Sequence, residues 1–364
     1  MRAVVLEQPG LVTRLEDLEL AAPRAGEVLV RIVASGVCHS DLHVRDADWE
    51  RPGPIVLGHE GAGFVEAVGP GVTTPRVGDL VALSWYYPCL RCAHCQAGRQ
   101  WLCSDSPALG HRLPDGKTRL SRADGSAVMS YLAIGTFAER TVVAADAAIP
   151  MPVGVSAEVA ALIGCAVTTG VGAVLKTAEV PAGASVAVIG LGGVGLSVVM
   201  GAVLAGATRI VAVDRVAEKL ERARDLGATD LVLSADPDQT LAAIRAATNG
   251  GPDFSFEAIG LTSTIELSVA CLPRGGTAVL VGLTRFGARA SFEAFPFVDS
   301  SQRILGSNYG FAVAATDFPR YAELHLAGRL PIDRLIDARI GLDDVEDAFD
   351  RMRRGEGVRR IVVP

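Results

Sequence analysis

The chain changes rhythm once. Up to about residue 150, apolar positions come in short runs broken by Gly and Pro: MRAVVLEQ, EVLVRIVASG, GHEGAGFVEAVG, VGDLVALS and FAERTVVA. Such β-prone runs predict a β-rich region. After Cys165 the runs become SVAVIG, RIVAVD, TDLVLS, DFSFEA, GTAVLVG and QRILGS. Helical patterns such as AEKLERARDLGA and TIELSVACLP separate the first five. Apolar strands alternating with helices predict a parallel sheet with crossovers. The tail from about residue 306 carries two more helical patterns and a last strand, VRRIVVP. Residues 105–130 break the pattern. They are polar, contain the turn signals LPDGKTR and RADGSA, and predict a long surface loop.

Between Val180 and Thr208 there is no charged residue. Pro181 and seven glycines interrupt that stretch, and it divides into a strand-like and a helix-like half. A buried strand–turn–helix is therefore predicted rather than a membrane span. The turn is Gly190-Leu191-Gly192-Gly193-Val194-Gly195, and the next strand ends in Asp214, nineteen residues after Gly195. This is the dinucleotide fingerprint. Gly190 permits the tight turn, Gly192 the approach of a pyrophosphate to the helix N-terminus, and Gly195 close helix–strand packing. Asp214 would accept hydrogen bonds from a ribose diol and repel a 2′-phosphate, which favours NAD. The adjoining Arg215 works against that preference.

A length of 364 residues predicts two domains. Composition fits a soluble globular protein, 49% hydrophobic and 21% charged, and a net charge of −7 argues against a nucleic-acid partner. Glu7 and Pro9 lie where a secretory signal needs an apolar run. Seven cysteines, an odd number, point to metal ligation in a reducing cytoplasm rather than a disulfide framework.

Four of the seven are spaced Cys89-x2-Cys92-x2-Cys95-x7-Cys103. Four thiolates complete a tetrahedral zinc shell and leave no place for substrate, so this site is expected to be structural. His94, inside it, is read as a loop residue. Cys38, His59 and Cys165 could hold a second zinc with an open fourth position. Lone cysteines and histidines are also common core residues, so spacing alone leaves that trio open.

The motifs GVCHSDLH, GHEGAGFVEAVGPGV, GDLVAL, the four-cysteine lobe, GCAVTTG and GLGGVGLS follow one another along essentially the whole chain. In these the sequence resembles the zinc-dependent medium-chain alcohol dehydrogenases. The resemblance implies an α/β fold, with a GroES-like β-rich catalytic domain and a Rossmann coenzyme domain of doubly wound parallel sheet. The implied boundaries are 1–166, with the zinc lobe at 89–103, then 167–305, then a return to the catalytic domain over 306–364. The segment 105–130 looks like the extra loop of the longer, mostly dimeric branch that includes liver-type and formaldehyde-oxidising enzymes. A homodimer is implied.

Carried over by motif, Cys38, His59 and Cys165 would bind a catalytic zinc, with Glu60 behind the metal and Asp41 bonded to the free ring nitrogen of His59. Ser40 and His43 match the family's proton relay. Thr169 and Val194 would lie near the nicotinamide, Lys219 beside the adenosine ribose, and Arg359 near the pyrophosphate; Val281 would also bind the cofactor. Gly193 belongs to the same cofactor loop. His39 departs from relatives that carry an Arg there, which weakens a pyrophosphate contact. Trp49, Trp85, Tyr131 and Leu132 would line the substrate pocket, with Ala108 leaving room at its mouth. The implied reaction is NAD-linked oxidation of an alcohol, primary and aromatic or medium-chain, or the reverse reduction. Glutathione-linked formaldehyde oxidation is the alternative; the sequence shows no clear anion site for it, although Arg112, Lys117 and Arg119 lie in the loop. A zinc-ribbon binding module is opposed by the acidity and the dinucleotide loop. His111 and His325 receive no role.

Overall fold

The computed structural model describes residues 1–364, which form two compact units. The first comprises Met1–Cys165, Val313–Gly328 and Ile332–Pro364; the second comprises Ala166–Ala312 and Arg329–Pro331. The second unit thus runs on past residue 305, because Tyr309–Phe311 packs on the Thr168–Gly172 helix of the same unit.

The first unit is built on the strand Glu27–Gly36, in which Val28, Val30, Ile32 and Ala34 point inward and Arg31 points out. Each buried Val or Ile contributes about 1.5–3 kcal/mol. This strand is antiparallel to Gly61–Val68 and to Arg140–Ala144. The chain's last strand, Arg359–Val362, pairs antiparallel with its far end, Ile361 opposite Gly36 and Val362 opposite Ser35. The C-terminus therefore lies beside the residues that lead into Cys38. Helix Ala157–Leu162 packs on this sheet, capped by Ser156 Oγ, which accepts from the Val159 N–H at 3.3 Å.

The segment 105–130 is exposed loop and turn over much of its first half, but not throughout. Strands Leu120–Ser121 and Ala127–Ser130 pair with each other and extend the small sheet of the N-terminal strands. Leu120 and Val128 join Ala3, Val5 and Val56 in one core cluster. Arg119 is buried between Glu27 and Asp115, both ion-paired to its Nη2. Polar composition misled here because a few apolar anchors and one paired cation suffice to fix a polar hairpin.

The second unit holds a six-stranded sheet in the order Asp230–Leu233, Arg209–Asp214, Ser185–Ile189, Phe254–Glu257, Thr277–Leu280, Arg303–Gly306. All neighbouring pairs are parallel. The uncharged stretch forms strand Ser185–Ile189 and helix Gly193–Ala205, whose first nine residues are mostly buried. Helix Ala157–Thr177 is long and apolar enough to cross a membrane by length and composition, but 83% of its apolar window is buried inside the protein.

Candidate active site and metal centres

Sheet register brings three distant segments of the first unit to one point. Ser35 pairs with Gly61, and the Gly36 N–H donates to the Glu60 carbonyl at 2.8 Å, so Cys38 and His59 leave adjacent strand ends. Cys165 arrives from the π-helical turn Ile163–Val167, which follows the helix packed on this sheet. Such widened turns recur at functional sites because they re-aim one side chain. The ligand atoms of Cys38, His59 and Cys165 lie within 4.8 Å of one another, all three buried. Cys38 and Cys165 are free thiols.

Around them the charges are ordered. Asp41 Oδ1 lies 3.1 Å from His59 Nδ1 and accepts from the Gly58 N–H at 2.9 Å, leaving His59 Nε2, 3.5 Å from Cys165 Sγ, to face the thiols. The Glu60 carboxylate sits under the cluster where only glycine fits: a Cβ on Gly36 would lie 2.3 Å from Glu60 Oε2. Arg359 is buried beside the cluster. Its Nη1 donates to the Val37 carbonyl at 2.6 Å and lies 3.5 Å from Glu60 Oε2, and its Nη2 lies 3.8 Å from Cys38 Sγ.

The thiols share a proton unequally. The Cys165 thiol hydrogen-bonded to Cys38, helped by Arg359 and His59, holds Cys38 well below the ordinary thiol range, and the same bond pushes Cys165 up. Burial works against a charged His59, but Asp41 and Cys38 outweigh it and raise its pKa. Soft sulfur and imidazole donors, converging without a disulfide and held by a buried carboxylate–histidine pair, fit a zinc ion with one position open.

The other four cysteines also converge within 4.8 Å, in the first unit. The Cys89 N–H donates to Cys103 Sγ at 3.2 Å and the Cys92 N–H to Cys89 Sγ at 3.3 Å. The Cys95 N–H draws Cys92 down to about 6, whereas burial pushes Cys95 up to about 12. Backbone donors aimed at sulfur favour thiolates, and this donor set fits a closed zinc shell. His94 is half-buried on the short helix between these ligands.

One aromatic side chain meets the three-ligand cluster and another meets His43. Tyr131 meets His59 edge-on at 5.6 Å, and Trp49 stacks on His43 at 4.7 Å. Trp49, Tyr131 and Leu132 share one buried cluster, with Trp85 packed against it. Ala108 lies in a neighbouring cluster with Tyr87. Ser40 is half-buried in the first turn of helix His39–Arg45, and His39 is exposed. Two partners had no signal in the sequence. Asp48 Oδ2 lies 2.8 Å from His43 Nδ1, and His111 Nδ1 accepts from the Leu132 N–H at 3.0 Å. His325 Nδ1 lies 3.8 Å from Asp333 Oδ1.

In the second unit, Gly190 has φ +93°, and a Cβ on Gly195 would fall 1.8 Å from the Gly190 carbonyl oxygen. No atom within 4 Å opposes a Cβ at Gly192, so the helix N-terminus it caps is open to a phosphate. Asp214 ends its strand half-buried. Its Oδ2 accepts from Leu191 N–H at 2.8 Å and its Oδ1 from Val216 N–H at 2.9 Å. Arg215 is exposed, Lys219, Thr169 and Val194 are half-buried, and Val281 is buried at a strand end.

Two family patterns match the chain: "Alcohol dehydrogenase GroES-like domain" over residues 24–153 and "Zinc-binding dehydrogenase" over 193–327. The S-(hydroxymethyl)glutathione dehydrogenase of Paracoccus denitrificans is 35% identical over 372 aligned positions, covering 100% of this chain and 99% of that one. The chain belongs to the zinc-dependent medium-chain alcohol dehydrogenases. Among solved structures, an alcohol dehydrogenase zinc-binding domain protein from Burkholderia ambifaria superposes with TM-score 0.93 at 38% identity, covering 100% of this chain and 98% of that one. The benzyl alcohol dehydrogenase of Acinetobacter calcoaceticus does so with TM-score 0.91 at 32% identity and the same coverage. As a member of this family the protein is a zinc-dependent oxidoreductase that interconverts alcohols and carbonyl compounds with a nicotinamide cofactor.

Proposed function

We propose that this dehydrogenase oxidises primary alcohols carrying an aromatic or medium-length apolar group, with NAD as acceptor, and reduces the matching aldehydes. One observation carries the reading: a buried Cys38–His59–Cys165 cluster faced by Tyr131 and separate from the four-cysteine lobe. When bound, zinc supplies the Lewis acidity that eases loss of the alcohol proton, and the nicotinamide ring accepts the hydride. Asp41 holds the His59 ring with Nε2 toward the thiols. Arg359 offsets the thiolate charge from behind, held there beside the Glu60 carboxylate. Ser40 Oγ and the His43 ring hand the proton outward, and His43 is held on Trp49 by stacking and on Asp48 by a hydrogen bond. Trp49, Trp85, Tyr131 and Leu132 exclude water and favour a flat or apolar substituent. Gly190, Gly192, Gly193 and Gly195 receive the pyrophosphate, and Asp214 the ribose diol. Lys219, Thr169, Val194 and Val281 border the cofactor, in keeping with a catalytic first unit and a coenzyme-binding second unit.

The kinship to S-(hydroxymethyl)glutathione dehydrogenases supports a second reading, thiol-linked formaldehyde oxidation. Against it, Arg119 is buried against Glu27 and Asp115, and Arg112 donates to the Gly116 carbonyl. A panel of benzyl alcohol, hexanol, ethanol and formaldehyde with glutathione, followed at the NADH absorbance, separates the two. Strong preference for the glutathione adduct replaces the first reading with the second; no turnover of any member removes both. The enzyme is further proposed to be a cytoplasmic homodimer, joined along the sheet edge at Arg303–Gly306, beside which Phe295 is 83% and Val298 74% exposed.

A further inference from the structure

His111 is a residue that neither the zinc clusters nor the proton path uses, yet it is built into the wall beside them. It is 4% exposed, although it comes from a segment of polar residues. It ends the turn Pro107–Gly110 in the left-handed region, φ 57°, which aims its ring inward. There the ring does two things. It stacks on Tyr131, centroids 5.5 Å apart and 27° from parallel, and its Nδ1 accepts the Leu132 N–H at 3.0 Å.

The accepted bond matters because of where it falls. Leu132 and Ala133 both have left-handed backbone, φ 51° and 61°, costly for residues with side chains. A conformation of that kind persists only where its surroundings over-determine it. The Leu132 N–H is inside the protein, so without His111 it would lack a partner, a loss worth more than the bond itself. The outer face of the wall is thus His111, the next layer is Tyr131 and Leu132, and the inner contact is the Tyr131 edge on His59.

We propose that His111 is a positioning residue that sets the enzyme's selectivity among alcohols, by holding Leu132 and the Tyr131 ring as a rigid wall beside His59. The inference rests on the reading of Tyr131 and Leu132 as substrate-pocket residues. The acceptor role requires a neutral ring with its proton on Nε2. Burial, and then the charge of Arg51, keeps His111 neutral down to about pH 4. Lys117 and Arg119 line the same small cavity as His111, Arg119 being ion-paired to Glu27 and Asp115. No acidic group is among the causes acting on His111.

Two variants of the full, zinc-loaded enzyme divide the ring from its acceptor. His111→Phe keeps a stacking ring and removes the acceptor. His111→Asn keeps an acceptor near the Nδ1 position and removes the stack. Zinc content, NAD binding, and kcat and KM for benzyl alcohol and ethanol are measured for both. In His111→Phe, kcat/KM for benzyl alcohol should fall about tenfold or more, chiefly through KM, with ethanol changed less than about threefold. His111→Asn should recover most of the benzyl alcohol activity. Equal losses for both alcohols, or none for either, overturn the proposal. If the Phe variant does not fold, the Asn variant and the wild-type imidazole nitrogen shifts carry the test: a protonated Nδ1 at pH 7 also overturns it. Failure of the wild type to oxidise any alcohol removes the functional reading and this inference together. Wild-type turnover with indifferent variants removes this inference alone.

Discussion

The two cysteine sites solve opposite problems. The lobe takes all four ligands from Cys89 to Cys103, with backbone N–H groups of its own turns aimed at the sulfurs. The three-ligand site takes one residue each from a strand exit, a strand entrance and a helix, up to 127 positions apart from Cys38 to Cys165. The lobe is local and closes its shell; the other site depends on the whole first unit and leaves a position open. A local closed shell can only hold structure. An assembled open one can do chemistry, because the scaffold and not the metal fixes its geometry.

Removing one ligand from each site tests that contrast most severely. Cys165→Ala should lower turnover by at least ~10³ while the chain folds and binds NAD, since the Lewis acid is lost and the coenzyme unit has its own core. Cys92→Ala should cost more than about 4 kcal/mol of stability, or block assembly, because the lobe has few buried apolar residues to replace its zinc. Activity per folded, NAD-binding chain is the deciding quantity. An inactive but stable Cys92→Ala beside a fully active Cys165→Ala would reverse the two assignments.

Acid should weaken the assembled region specifically. An unfolded histidine titrates near ~6.5, whereas burial and Arg51 hold His111 down to about 4. Below pH ~6.5 the unfolded chain binds a proton that the folded chain refuses, so stability present above that pH is lost as pH falls toward 4. The full effect is about 3 kcal/mol. Denaturant midpoints at pH 7 and 4.5 should therefore converge for wild type and His111→Asn, the wild type losing more. A gap that does not change with pH would assign the acid sensitivity elsewhere.

Asp214→Ser should weaken NAD by roughly 1.5–3 kcal/mol, one to two decades in affinity, and relieve the exclusion of NADP. Wild type that already prefers NADP would mean that Arg215 governs the site. The smallest effect is expected at Cys271, a free thiol at the end of the helix Thr262–Ala270 with 0% exposure. Burial pushes its pKa up to about 11, which leaves it unreactive. Cys271→Ser should retain both zinc ions and full turnover; loss of either would show that a ligand has been misassigned.

Several features were legible because their ligands or turns are close in sequence. The four-cysteine spacing and the GLGGVG turn each specify their geometry within a few residues, so neither needed the fold. The motifs around Cys38, His59 and Cys165 were legible only through resemblance, since spacing alone did not separate them from core residues. Composition could not show the pairing within 105–130: Leu120 lies opposite Val128, and the strand Ala127–Ser130 joins the sheet beside Ile55–Val56.

By itself, then, the sequence determined the local devices: the strand–turn–helix for a dinucleotide, the closed thiolate shell, and the alternation that commits the second unit to a parallel sheet. Tertiary structure alone decided the rest. It set the register that joins Cys38 to His59, the turn of Arg359 toward Glu60, the Asp48 bond to His43, and the burial of His111 against Tyr131. The physical reason is range. Turn and ligand spacings act over a few bonds, whereas these contacts join residues distant in the chain or hang on a loop conformation that only packing holds.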